Sequence, residues 1–179
     1  MHDALSPRVL ALDAEGLAAR LEGFCDLMQA CVSEGASIGY IMPFGRSEAE
    51  SFWREKVMPG VARGKVGLFF ADIGGTVAGS VQIDCDTPPN QPHRAEVKKL
   101  LVHPRFRRQG LARALMAAID DEARRRGRTL LTLDTRSGDS AEKLYRAIGF
   151  REVGTIPRYC IDALDPSRFD STTLFRKEL

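Results

Sequence analysis

Apolar residues recur along this chain with two different periods, and the places where the period changes mark out its elements. Arg8 to Leu12 is a short apolar run and reads as a strand. Leu17, Leu21, Phe24, Met28 and Val32 then repeat at helical spacing, behind an Asp13 that can cap the helix. Gly35 to Gly45 breaks the pattern: it is apolar but punctuated by glycine, so it either plugs the core or lines a pocket with Ser37, Tyr40 and Phe44. Ser47-Glu-Ala-Glu50 has capping-box spacing, followed by an apolar face of Ala49, Phe52, Trp53 and Val57 that Pro59-Gly60 ends or kinks. The period then drops to two. Val66 to Ala71 is a strand, Asp72 to Thr76 a hairpin turn, and Val77, Gly79, Val81, Ile83 and Cys85 alternate along its partner.

A proline-rich loop, Thr87 to His93, leads into Val97 to Val102, which is apolar enough for a buried strand that Pro104 ends. Arg107 to Ala112 turns directly into a helix carrying Leu111, Ala114, Leu115, Ala118 and Ile119 on one face. Gly127 can stop it in the left-handed conformation, while Arg124, Arg125 and Arg126 each follow Asp120, Asp121 and Glu122 by four positions and form favourable pairs. Thr129 to Asp134 is a buried strand. Asp139-Ser-Ala-Glu142 caps a short helix bearing Ala141, Leu144, Tyr145 and Ile148, which Gly149 and Phe150 close. Arg151 to Ile161 and Ser171 to Phe175 read as closing strands. The order β-α-α-β-β-β-α-β-α-β-β predicts an α/β (α+β) fold. Its mixed sheet has antiparallel strands before the central helix, a parallel right-handed crossover around it, and helices on both faces.

At 179 residues, 44% hydrophobic and 28% charged, the chain reads as a single globular domain spanning 1–179. A net charge of only +2 argues against a surface coated for nucleic acid, and the arginines near residue 105 lack the interleaved aromatics of a base-stacking platform. No apolar run approaches the roughly 20 residues of a membrane span, and Met1 to Pro7 shows no secretory leader. Cys25, Cys31, Cys85 and Cys160 are scattered, as expected of reduced thiols in a cytoplasmic protein, and the spread of His2, His93 and His103 suggests no metal site.

The candidate chemistry lies in Glu96 to Met116. A helix that starts just after a strand leaves several N–H groups unpaired and aimed at one point, with the positive end of the helix dipole behind them. Gly110 and Ala112 keep side chains small where a phosphate must reach that backbone, so the turn reads as a cradle for a pyrophosphate. Neither of the two common glycine-rich phosphate motifs is present. Arg107-x-x-Gly110-x-Ala112, preceded by Leu100-Leu-Val-His-Pro104 and followed downstream by Leu144-Tyr-Arg-Ala-Ile-Gly-Phe150, instead resembles the GNAT (GCN5-related N-acetyltransferase) superfamily, over nearly the whole chain.

The resemblance implies a mostly antiparallel sheet of about seven strands, splayed between two central parallel strands, with acetyl-CoA as cosubstrate in the splay. It implies that main chain at Leu100, Leu101 and Val102 meets the pantetheine arm, and that Arg107, Arg108, Gln109, Gly110, Leu111, Ala112 and Arg113 form the pyrophosphate turn. An amide near Val102 would polarise the thioester carbonyl. A narrower resemblance, to the tabtoxin-resistance acetyltransferase and its relatives, rests on Gly35-Ala-Ser-Ile-Gly39, His93 to Leu100, Leu131 to Thr135 and Ile156-Pro-Arg-Tyr-Cys160. That group acetylates a small amine-bearing β-lactam amino acid. Gly138 departs from the superfamily, which often has Asn there.

Acetyl transfer to an amine needs a neutral nucleophile, a polarised carbonyl and a proton for the departing thiolate. Glu96 can take the amine proton, or else form a strand-end ion pair with Arg94 or Lys98. Asp134, at the C-terminal end of a parallel strand, can hold the substrate ammonium or share the base role, or simply cap the following turn. Tyr145 can protonate the thiolate, or be buried for its apolar ring alone. The leading expectation is an acetyl-CoA-dependent N-acetyltransferase for a primary amine of a small molecule, working by direct transfer in a ternary complex as monomer or homodimer. A peptide or protein acetyltransferase and a non-catalytic acetyl-CoA-binding module are the alternatives.

Overall fold

The computed structural model describes residues 7–179; all but Pro7 of the Met1 to Pro7 stretch examined above for a secretory leader lies outside it. Seven strands form one sheet: β1 (Arg8–Leu12), β2 (Val66–Ile73), β3 (Thr76–Asp84), β4 (Arg94–Val102), β5 (Leu130–Arg136), β6 (Arg151–Ile161) and β7 (Phe169–Glu178). Their spatial order is β1-β2-β3-β4-β5-β7-β6. The hairpin-linked strands pair antiparallel, and β4 with β5 is the parallel pair, as the element order predicts.

Helices cover both faces. α1 (Ala14–Ala19), α2 (Leu21–Ser33), α3 (Arg46–Ser51) and α4 (Met58–Ala62) close one side over Leu68, Phe70 and Leu101. Phe24, Trp53 and Phe70 stack at its centre, with the Trp53 indole N–H donating to the Phe24 carbonyl at 3.0 Å. α5 (Leu111–Arg125) and α6 (Ser140–Ala147) close the other side over Val81, Ile83, Leu131 and Phe175.

Four local expectations are corrected. The first predicted helix is two, broken at Arg20, whose guanidinium reaches the Gly16 carbonyl and lies over the Phe70 ring. The second starts at Gly45 rather than Ser47: Glu48 accepts the Gly45 N–H at 2.7 Å, leaving Glu50 to pair with Arg54. Pro59 does not end that helix. A wider turn over Phe52–Val57 carries the chain into α4, where proline in the first turn has no N–H to lose. On α5, Ala114 is exposed and the buried stripe is Leu111, Leu115, Met116, Ile119 and Ala123.

The arginine ladder on α5 is also different. Glu122 takes both Arg125 and Arg126, Arg124 faces Asp121, and Asp120 turns inward to Lys177 of β7. Gly127 does end α5 with φ +66°, and the Arg128 N–H closes back on the Ala123 carbonyl at 2.8 Å.

β4 carries two irregularities. Opposite β3, the register passes from Gln82–Lys98 to Ser80–Leu101, two steps against three, so β4 bulges at Lys99 and Leu100 with Lys99 at φ +51°. Opposite β5, pairing runs only from Arg94–Leu130 to Glu96–Thr132. Beyond that point both strands continue without bonding to each other, and a wedge-shaped gap opens between them.

Candidate active site

The gap has two ends. At the narrow end a cavity of about 320 Å³ is walled by β4, β5, α6 and the loop after α2. At the wide end β4 runs through Pro104–Phe106, a single tight helical turn, into the start of α5.

The wide end is built of main chain. The His103 N–H donates to Ala78 at 2.9 Å, and Val102 stands opposite Gly79, so the alternation of an antiparallel ladder turns the Val102 peptide toward the gap. Its carbonyl accepts the Cys31 thiol at 3.5 Å and Arg107 Nε at 3.4 Å. Burial pushes the Cys31 thiol up to about 11, keeping the proton it donates. The side chain of Arg107 is therefore folded back on the strand.

Arg108 and Gly110 both adopt left-handed backbone, at φ +65° and +79°. No described residue accepts a hydrogen bond from the main-chain N–H groups of Arg108 through Arg113. The first bond of α5 runs from the Ala114 N–H to the Gly110 carbonyl, at 3.1 Å. A side chain at Gly110 would meet nothing within 4 Å, so this turn is open on its outer side. Successive unpaired donors at a helix start are a fit for a pyrophosphate.

The narrow end is built of side chains. Glu96, Asp134 and Tyr145 all line the cavity, together with Ser37. Glu96 makes the strand-end ion pair, at 3.4 Å from Lys98, which also holds Asp84 at 2.8 Å. Asp134 is exposed to the cavity and accepts the Thr172 hydroxyl at 2.8 Å. The Tyr145 ring packs on Phe150 and Phe175; burial first, then the charges of Asp134 and Asp139, hold its hydroxyl protonated well above the usual phenol range. The two readings of the Gly35 to Gly45 loop are both realised in part. Ser37 to Gly39 face the cavity, while Phe44 is buried and Tyr40 stacks on Phe44 and Phe52 outside it.

Among the cavity residues not read as site residues from the sequence, three make distinctive contacts. Lys99 reaches the wall because of the bulge, whose trace in the sequence is the polar doublet Lys98-Lys99 within an apolar run. Arg136 binds Asp139 at 2.9 Å and the Gly35 carbonyl at 2.9 Å, tying the loop after α2 to β5. Cys160 comes from β6 and sits 3.5 Å from the Ser37 hydroxyl. Among the described residues, no group of three or more His, Cys, Asp or Glu side chains is arranged to hold a metal, and no helix is long and apolar enough to cross a membrane.

A parallel pair that splays apart beside an open turn of main-chain donors is the arrangement that the acetyltransferase resemblance implies. The acetyltransferase (GNAT) family model matches residues 29–150. The chain belongs to this family. It is 33% identical over 118 residues to an uncharacterized N-acetyltransferase encoded in the hisH-hisA intergenic region of Azospirillum brasilense, covering 65% of this chain and 68% of that protein.

Solved structures share the fold. Ribosomal-protein-alanine N-acetyltransferase from Brucella melitensis superposes with a TM-score of 0.78 at 21% identity, over 96% of this chain and 99% of that one. yncA of Salmonella typhimurium, solved with its cofactor acetyl-CoA, gives 0.75 at 18% identity, over 97% and 94%. The chain is thus an N-acetyltransferase of a family that uses acetyl-CoA as cosubstrate.

Proposed function

We propose that this enzyme acetylates the primary amine of a small, amino-acid-like molecule by direct transfer, with the acceptor in the Glu96–Asp134–Tyr145 cavity. The observation that carries this is the continuity of the gap. The unpaired N–H groups of Arg108 to Arg113 stand at one end and two carboxylates with a protonated phenol at the other, along one strand, β4. Acetyl-CoA, when bound, supplies an acetyl group already activated as a thioester. The N–H groups of Arg108 to Ala112 would hold its pyrophosphate, and main chain at Leu100 to Val102 would guide its pantetheine arm toward the cavity.

The acceptor arrives as an ammonium and must lose a proton to become a nucleophile. Glu96 or Asp134 takes that proton, directly or through water; the other carboxylate holds the amine in place. Tyr145, kept protonated by burial, has a proton to give at the cavity's inner wall. The likeness of residues 35–39, 93–100, 131–135 and 156–160 to the tabtoxin-resistance group favours an amino-acid-like acceptor. So does the cavity's volume of about 320 Å³, which suits a small molecule better than a folded chain.

The test is CoA release against a panel of amino acids, aminoglycosides and peptides, with calorimetry of CoA binding alongside. Turnover confined to small amino acids is expected. Turnover of peptides alone, or CoA binding with no turnover of any amine, would overturn the reading.

A further inference from the structure

We propose that the acceptor cavity contains an oxyanion subsite formed by the Lys99 ammonium, so that the amine acetylated here also carries a carboxylate or similar oxyanion. This rests on the acceptor-cavity reading above and narrows it to a class of substrate.

The cations facing the cavity decide the matter by elimination. Lys98, on β4, is held by Asp84 at 2.8 Å and Glu96 at 3.4 Å. Arg136, on β5, is held by Asp139 at 2.9 Å, with Asp170 at 3.6 Å and Asp162 at 3.9 Å. Lys99 is different. Its Nζ donates to the Ile38 carbonyl at 2.7 Å and lies 5.7 Å from the centre of the Phe52 ring, and among the described residues no carboxylate lies within 4.0 Å of it.

An ammonium has three donors, and here one of them meets a neutral carbonyl. A cation drawn out of water without a counter-charge is costly, and so is left-handed backbone for a lysine, at φ +51°. The fold tolerates both at one residue on a cavity wall. An arriving oxyanion would relieve the first, and the bulge is what turns Lys99 toward it. Burial depresses the Lys99 pKa and Lys98 adds to the effect; Asp134 and Glu96, both farther than 4.0 Å from its ammonium, offset it only in part. Glu96 and Asp134 line the same cavity, so its wall offers negative charge for an ammonium and positive charge for an oxyanion: the complement of a zwitterion.

The competing account makes Lys99 a staple holding the Ile38 loop to β4. A staple affects every acceptor alike; an oxyanion site affects only those with the charge. The experiment therefore compares an accepted amino acid with its carboxamide. The unaltered enzyme is expected to prefer the acid by about ten- to a hundredfold in kcat/KM, the worth of one charge-assisted hydrogen bond. Lys99→Met should collapse that preference, and Lys99→Arg should keep part of it, with CoA calorimetry confirming that both variants retain the cofactor end.

Equal rates for acid and carboxamide in the unaltered enzyme, or an equal loss for both in Lys99→Met, overturn the proposal. If CoA binds but no amine is acetylated, the functional reading fails by itself. The subsite is then read by titrating N-acetylglycine and N-acetylglycinamide into the CoA-bound protein. Heat from the former only, abolished in Lys99→Met, supports it; no heat, or equal heat, overturns it.

Discussion

The two ends of the β4–β5 gap do related work with different materials. The donor end presents six consecutive main-chain N–H groups, Arg108 to Arg113, with its most obvious side chain, Arg107, folded back on Val102. The acceptor end presents side chains from elements far apart in the chain: Ser37, Lys99, Asp134, Tyr145 and Cys160. Main chain recognises what is constant in a ligand, since any residue supplies an N–H. Side chains recognise what varies, since each can be exchanged without altering the path of the strand. The comparison predicts that substitutions at one end change CoA affinity, and those at the other change turnover and choice of acceptor.

The largest effect is expected at the acceptor end, from Glu96→Gln and Asp134→Asn made separately. Loss of the true base should lower kcat/KM by about a hundredfold to ten-thousandfold, while loss of the orienting carboxylate should mostly raise the acceptor KM. CoA affinity, measured by calorimetry, should stay within about twofold in both, because neither carboxylate touches the donor end. A shared loss of CoA affinity would break the division between the two ends.

At the donor end, Gly110→Val should weaken CoA binding by about ten- to a hundredfold. The space around Gly110 is open, so the penalty is conformational: a β-branched residue at φ +79° costs about 1–3 kcal/mol. Gly110→Asn, which tolerates left-handed backbone, should retain most of the affinity. If both variants bind CoA like the parent, the turn is not the cradle.

The same division explains what could be read before the structure. The donor end is contiguous, and its chemistry follows from a strand, a small-residue turn and an amphipathic stripe within Glu96 to Met116. Antiparallel and parallel pairings followed from loop lengths, and the αL stops at Gly127 and Gly149 from glycine placement. At the other end of the gap the residues read from sequence that line the cavity are Glu96 and Asp134 near strand ends, Tyr145 on a helix and Ser37 in the glycine-punctuated loop. Lys99 was hidden because Val97 to Val102 reads as one continuous buried strand; the doublet Lys98-Lys99 interrupts its period, and one inserted residue there reverses the face on which the following side chains lie. Ser47 is the better cap by local chemistry, because Gly45 has no side chain to accept an N–H. Burial of Phe44 and Ala49, and the pairing of Arg46 with Asp26, accompany the earlier start.

Tyr145→Phe should have a smaller and more specific effect: kcat down by about tenfold, with CoA affinity and acceptor KM little changed. Its stability has a definite sign with pH. The phenol is held protonated in the folded protein above its unfolded value of 10.0. Its contribution is fully present below that pH and is lost as pH rises toward the folded value, by up to about 1.4 kcal/mol per pH unit. Stability from denaturant melts above pH 10 should fall less steeply with pH in Tyr145→Phe than in the parent, the remaining slope belonging to groups such as Cys31 and Tyr40, whose folded pKa values are also raised. An unchanged slope would mean that the hydroxyl is not shielded as the packing on Phe150 and Phe175 implies.

The smallest effect is expected from Arg108→Gly, and it isolates main chain from side chain at the donor end. Arg108 holds left-handed backbone at φ +65°, which glycine adopts freely, so the native turn is preserved and relieved of strain. The more flexible unfolded chain offsets that gain, and net stability should move by less than about 1 kcal/mol. The exposed guanidinium adds only screened attraction for phosphate, so CoA should bind about two- to fivefold more weakly. That difference should vanish near 0.5 M salt, roughly where the Debye length falls below 5 Å. If Arg108→Gly instead abolishes binding at all salt concentrations, the side chain and not the peptide N–H groups does the gripping, and the contrast between the two ends of the gap is lost.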